Sequence, residues 1–157
     1  MSATGNNGRK KRPQTYILIG DGFDELEVIY FLHTFRRAGL SIKSISLFNK
    51  LVTSRQGVSL KTDYALAEHP FDPADDYVLI LPSRGRNSDA LRHDARIKVL
   101  LENLNRGKGR VVITESSGIL ATDVGEIVTS RPTYQPRRDE QLPEFVKTLA
   151  DKIAFAY

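Results

Sequence analysis

The stretch that most constrains this chain runs over residues 110–121, RVVITESSGILA. A basic residue leads a β-branched run, Val111, Val112 and Ile113. The polar Thr114, Glu115, Ser116 and Ser117 then separate that run from the apolar Ile119 and Leu120. Such a change of period reads as a buried parallel strand turning sharply into a helix, with Thr114 at the bend and Ser116 or Ser117 capping the helix. The carboxyl end of a strand faces a crevice and the following helix amino terminus stabilises negative charge, so α/β enzymes place nucleophiles at bends of this kind. Here the bend carries a threonine.

The rest of the chain supplies a setting for that bend. Residues 16–20, YILIG, and 77–81, YVLIL, are short apolar runs that read as buried strands. Ile42, Ser44 or Ile45, and Leu47 mark another strand within residues 41–48. Residues 51–53 and 58–61 read as a hairpin around Arg55, Gln56 and Gly57, and residues 126–130 as a last strand. Helices are expected from about Asp24 to Gly39, around Ile97, Leu100, Leu101 and Leu104, and through Leu142, Phe145, Val146, Leu149 and Ile153, with Pro143 in the first turn of the last. Asp24 and Glu27 have capping-box spacing. Alternating strands and helices with short connections imply a mostly parallel sheet with helices on both faces. The first helix is apolar around much of its girth, which suggests a second covering partner and homo-oligomerisation through it.

Composition removes several chemistries. At 157 residues the chain forms one domain with a real core, and the absence of cysteine excludes disulfides and thiolate catalysis. No apolar run approaches the roughly 20 residues that span a bilayer, and no signal-peptide core is present, so a soluble cytoplasmic protein is expected. The net charge of +4 is matched by Arg9, Lys10, Lys11 and Arg12, in a polar leader that contains no acid. Residues 1–14 are therefore read as a flexible basic leader and 15–157 as the folded domain. The leader either solubilises the chain or docks on an acidic protein surface. Nucleic acid is a weaker alternative, since four charges without interleaved aromatics supply affinity but read no base.

Four stretches in order make the chain resemble the ThiJ/PfpI family, a flavodoxin-like group of the class I glutamine amidotransferase-like superfamily. GFDELEV at 22–28 with FRRAGLSI at 35–42 resembles its first helix, and YVLILPSRG at 77–85 its strand and oxyanion loop. VVITESSGILA at 111–121 resembles its nucleophile elbow, and EIVTSRP at 126–132 with QLPEFVKTLADKI at 141–153 its last strand and helix. The resemblance implies a flavodoxin-like three-layer sandwich. It also implies an elbow cysteine, a glutamate hydrogen-bonded to it, often a histidine nearby, and a glycine pair in the oxyanion loop. Glu27 matches the glutamate, Thr114 stands in the cysteine's place, and Glu115 takes the next position. Ser83 and Arg84 replace the glycine pair, followed by Gly85. Family members also carry a further segment after the elbow helix, which is missing here.

The residues themselves argue against the usual reaction. An alcohol needs a general base in contact, and His33, His69 and His93 do not fall where the family places one. Carboxylates at Glu27 and Glu115 would oppose a developing alkoxide. Glu27 has two readings, a helix cap or a polar contact with Thr114 in a vestigial pocket. Ser83, Arg84 and Gly85 are candidate ligand-binding residues, with Arg84 either solvated or holding an anion. GDGFDE at 20–25 resembles a dinucleotide loop, but its acids already occupy the favourable end of the helix dipole. No cofactor or metal is expected. These features predict a catalytically degenerate domain that acts as a binding, scaffold or assembly component. The competing readings are a hydrolase or glyoxalase-like enzyme using Thr114 or Ser116, and a small-ligand sensor using the old crevice.

Overall fold

The computed structural model describes residues 12–73, 76–107 and 109–155. Arg9, Lys10 and Lys11 of the basic leader lie outside the described residues; Arg12 is exposed. Six strands follow the expected runs: β1 (Gln14–Ile19), β2 (Ile42–Ser46), the β3 (Leu51–Thr53) and β4 (Ser59–Lys61) hairpin, β6 (Tyr77–Leu81) and β7 (Arg110–Ile113). The remaining strands are β5 (Tyr64–Ala65) and β8 (Thr133–Tyr134). The helices are α1 (Glu25–Arg37), α2 (Asn87–Arg92), α3 (Ala95–Leu104), α4 (Ile119–Ile127) and α5 (Leu142–Phe155).

Six strands form one sheet in the order β5-β2-β1-β6-β7-β8, and every pairing in it is parallel. A parallel sheet buried on both faces needs apolar side chains at successive positions, which is why YVLIL is buried at all five. Alternate residues serve opposite cores. Ile17, Ile19, Val78, Ile80 and Val112 pack with Val28, Phe31 and Phe35 of α1 and with Phe145, Val146 and Leu149 of α5. Leu18, Leu79, Leu81, Val111 and Ile113 pack with Leu91 of α2, Leu101 of α3 and Val124 of α4. The architecture is the three-layer, mostly parallel sandwich expected. Much of the girth of α1 is covered by α5, while Leu26 and Ile29 stay exposed. No helix among the described residues is long and apolar enough to cross a membrane.

Two local expectations are corrected. Residues 126–130 are not the last strand: Glu126 and Ile127 finish α4, and the place beside β7 goes to β8, with Val111 opposite Thr133. The β-branched Ile127, Val128 and Thr129 mimic a strand, but Leu120, Val124 and Val128 recur every four residues and all three are buried on one side of the sheet. The backbone just beyond is satisfied by a side chain rather than a ladder. Asn105 Nδ2 donates to Ile127 O (2.7 Å), and its Oδ1 accepts from the Thr129 and Ser130 amides. Neither Ser116 nor Ser117 caps α4. The cap position is Gly118, with φ 133° and no side-chain hydrogen bond, and both serines are exposed.

Candidate functional site

The strand order reverses direction between β1 and β6, and in open α/β sheets the crevice beyond the carboxyl ends of such strands is where ligands bind. Four sequence-predicted residues meet there. Glu27 comes from the first turn of α1, Ser83 and Arg84 from the loop after β6, and Thr114 from the residue after β7.

The capping-box reading of Glu27 is overturned. Asp24 does cap α1, its Oδ1 accepting from Leu26 N at 3.0 Å, but Glu27 does not reach back to complete the box. Its side chain is fully buried, and Oε1 accepts from the Arg84 amide at 3.1 Å. Oε2 has no hydrogen-bond partner; the Arg84 Nε stands 3.8 Å from it. Burial raises the Glu27 carboxyl from 4.5 up to about 7, opposed first by the neighbouring Thr114 hydroxyl, then by the Arg84 amide and guanidinium. With the Arg84 side chain 43% exposed, solvent weakens that ion pair.

Beside it, the Ser83 amide donates to Thr114 Oγ1 at 2.8 Å. Thr114 is buried, and so is Ser83, whose own Oγ has no hydrogen-bond partner. The two consecutive amides of the loop after β6 are thus engaged by side chains of this chain, one by a hydroxyl and one by a carboxylate. In an acyl-transfer site, free amides in such positions would face a substrate oxyanion.

Two features that sequence reasoning missed hold this geometry. Asn87, fully buried at the start of α2, accepts from Gly20 N (2.6 Å) and donates to Pro82 O (2.7 Å) and Leu18 O (3.2 Å). It ties the carboxyl ends of β1 and β6 together, satisfying backbone groups that no ladder reaches. Its only signal was a polar residue five positions after a strand-ending proline. Gly85 makes an antiparallel bridge to Phe23 at φ +65°, where a Cβ would sit 2.5 Å from Gly22 O. Of the three predicted ligand-binding residues, then, Gly85 seats the loop, while Ser83 and Arg84 present their amides to Thr114 and Glu27.

The other candidates lie apart. Glu115 is exposed in the loop beyond Thr114, as is Ser116. His33 is exposed on α1, His69 sits edge-on to the Tyr64 ring, and His93 holds Asp89 O through Nδ1 at 2.6 Å. Among the described residues, no group of three His, Asp or Glu side chains could hold a metal ion. The turn itself is relaxed. No described non-glycine residue has positive φ, so Thr114 lacks the strained backbone of a nucleophile elbow. The helix begins at Ile119, leaving four residues between the hydroxyl and the first helical turn. Dipole stabilisation falls off within a turn, so α4 gives Thr114 little electrostatic help.

The sequence profile of the DJ-1/PfpI family matches residues 13–152. A deglycase of Thermococcus kodakarensis is 34% identical over 76 residues, which is 48% of this chain and 44% of that enzyme. The match therefore spans less than half of the relative. DJ-1beta of Drosophila melanogaster superposes with a TM-score of 0.70 at 18% identity, covering 92% of this chain and 91% of that one. A DJ-1 superfamily protein of Salmonella typhimurium gives 0.69 at 16% identity, covering 90% of each chain. At these identities the two structures speak for the fold alone.

Proposed function

The chain belongs to the DJ-1/PfpI family, and we propose that within it this protein is a non-catalytic member, a binding or scaffold component of the cytoplasm. One observation carries the reading: the Ser83 and Arg84 amides are already engaged by Thr114 Oγ1 and Glu27 Oε1. A substrate oxyanion would have to displace a buried hydroxyl and a fully buried carboxylate to reach them. The nucleophile position agrees with this. The backbone at Thr114 is unstrained and α4 starts only at Ile119, so neither an elbow nor a helix end activates the hydroxyl, whose oxygen already accepts from the Ser83 amide. The basic residues Arg9, Lys10, Lys11 and Arg12 are then a docking arm for an acidic protein surface.

The test is turnover of methylglyoxal and of glycated thiols or amines by the full chain, beside Thr114→Ala. We expect both proteins to match the buffer rate. A rate that disappears in Thr114→Ala would refute the reading. The likeness to a deglycase over 76 residues favours one competing reading, an enzyme using Thr114 or Ser116. Labelling of either hydroxyl by a fluorophosphonate would establish it. For the arm, removing residues 1–11 should lower the salt needed to elute the protein from an acidic polymer resin; unchanged elution would leave the leader a solubilising tail.

A further inference from the structure

A second site lies on another part of the molecule, at the β5 edge of the sheet. On the face shared by Leu18 and Ile45, Tyr16 from β1 and Tyr64 from β5 border a cavity of about 280 Å³, with His69, Phe71 and Asp72 completing most of its wall. Here the covering element is the irregular stretch 66–73 rather than a helix. The rings stand in edge-to-face pairs: Tyr16 with Phe71 at 4.9 Å between centroids, and Tyr64 with His69 at 6.3 Å. Tyr77 braces the first pair from behind, 6.0 Å from Phe71.

The electrostatics select among ligands. Aromatic faces are the negative ends of ring quadrupoles, and the two tyrosines add phenolic oxygens. Among the described residues, the acidic side chain lining the cavity is Asp72, and Glu68 is exposed on the same loop. No described lysine or arginine lines it, so an anion would find no such counter-charge to offset the Asp72 carboxylate. A bare metal ion finds one carboxylate and no ligand cluster among the described residues. A primary ammonium is strongly hydrated and would lose that shell against ring faces. A methylated ammonium spreads its charge over apolar groups and suits an aromatic wall with a carboxylate at the rim. Drug-sized pockets run from about 300 to 1,000 Å³, so the cavity suits a small head group.

We propose that the pocket framed by Tyr16, Tyr64, His69 and Phe71, with Asp72 at its rim, is a binding site for a methylated ammonium group. It shares no residue with the Glu27 and Thr114 site and does not depend on whether that site is catalytic.

The test is titration of the full chain, followed by amide NMR, with choline and with its neutral isostere 3,3-dimethylbutan-1-ol. Choline should shift residues 64–72, and the isostere should bind about tenfold more weakly or worse, the fold-change expected when a desolvated cation–π contact is removed. Tyr64→Leu should weaken choline about tenfold and Asp72→Asn about threefold, with Tyr64→Phe retaining binding. Tyr64 is 41% exposed, so these variants keep the fold. A trimethyllysine amide as a third titrant separates a free cation from a modified side chain as the source. Equal affinity for choline and the isostere, choline shifts mapping away from residues 64–72, or no shift at roughly 100 mM choline, which would saturate a site of about millimolar affinity, would each overturn the proposal.

Discussion

Two strand-to-helix turns share the carboxyl edge of the sheet, one from β1 into α1 and the other from β7 into α4, and they are held in opposite ways. The first is tied from several sides. Gly22 N donates to Thr53 O of the hairpin, Arg86 N donates to Gly22 O, Phe23 bridges Gly85, and Asp24 both caps the helix and pairs with Arg55 at 3.3 Å. In the second, Thr114 alone is buried; residues 115–119 are exposed and the cap is a glycine without a side-chain bond. The first turn delivers a carboxylate to a fixed position in the core. The second has neither a strained backbone nor a helix end adjacent to Thr114. The loop between them is closed on itself, the Ser83 amide held by Thr114 and the Arg84 amide by Glu27.

The largest effect should come from unseating the loop that joins the two. Gly85→Ala places a methyl 2.5 Å from Gly22 O at φ +65°, and we expect a loss of about 4 kcal/mol in urea unfolding from backbone strain plus the clash. A loss under about 1 kcal/mol would mean that the first turn yields as easily as the second.

Next comes the carboxylate that the first turn delivers. Glu27 holds its proton more tightly in the folded protein, with a pKa of about 7, than in the unfolded chain at 4.5. Its ionisation therefore destabilises: the cost is absent below pH 4.5, grows as pH rises, and levels off above about 7. The difference amounts to roughly 3 kcal/mol. Urea midpoints at pH 4.5 and 8 should separate accordingly in the natural protein and draw together in Glu27→Gln. Parallel pH curves for the two would show that Glu27 is not buried as described.

Thr114→Val asks whether the hydroxyl has a structural role. Removing Oγ1 leaves the buried Ser83 amide without its acceptor, a cost of about 2 kcal/mol. Thermal unfolding that matches the natural protein would mean the amide is free to receive a ligand. The smallest effects come from the helix starts themselves. Asp24→Ala should cost about 1 kcal/mol through the lost cap, and Ser117→Ala less than about 0.5 kcal/mol. Equal losses would erase the contrast between the turns.

Much of this was readable in residues 14–113. YVLIL could only be a doubly covered strand, and the LVT and SLK segments around Gly57 declared a hairpin, because alternation and turn chemistry are local. Reading failed where a local pattern had two physical uses. Glu27 lies at capping-box spacing from Asp24, yet the same helical position also points at Arg84. Burial against a loop 57 residues away decided between them. The run Ile127, Val128, Thr129 favours a strand by propensity, but helical spacing from Leu120 to Val128 and the Asn105 side chain won. Asn87 gave no warning, since an asparagine after a strand reads as a turn residue until the three backbone groups around it are seen.

The sequence by itself determined the family, the parallel sandwich and the replacement of the reactive position by a threonine, since hydrophobic period and residue identity are properties of the chain. Only the tertiary structure decided what Glu27 and Thr114 touch and that the backbone after β7 carries no strain. It alone gathered rings from β1, β5 and the following loop around one cavity. Those outcomes depend on which distant groups are brought within hydrogen-bonding or van der Waals distance and cut off from water, and no local pattern encodes that.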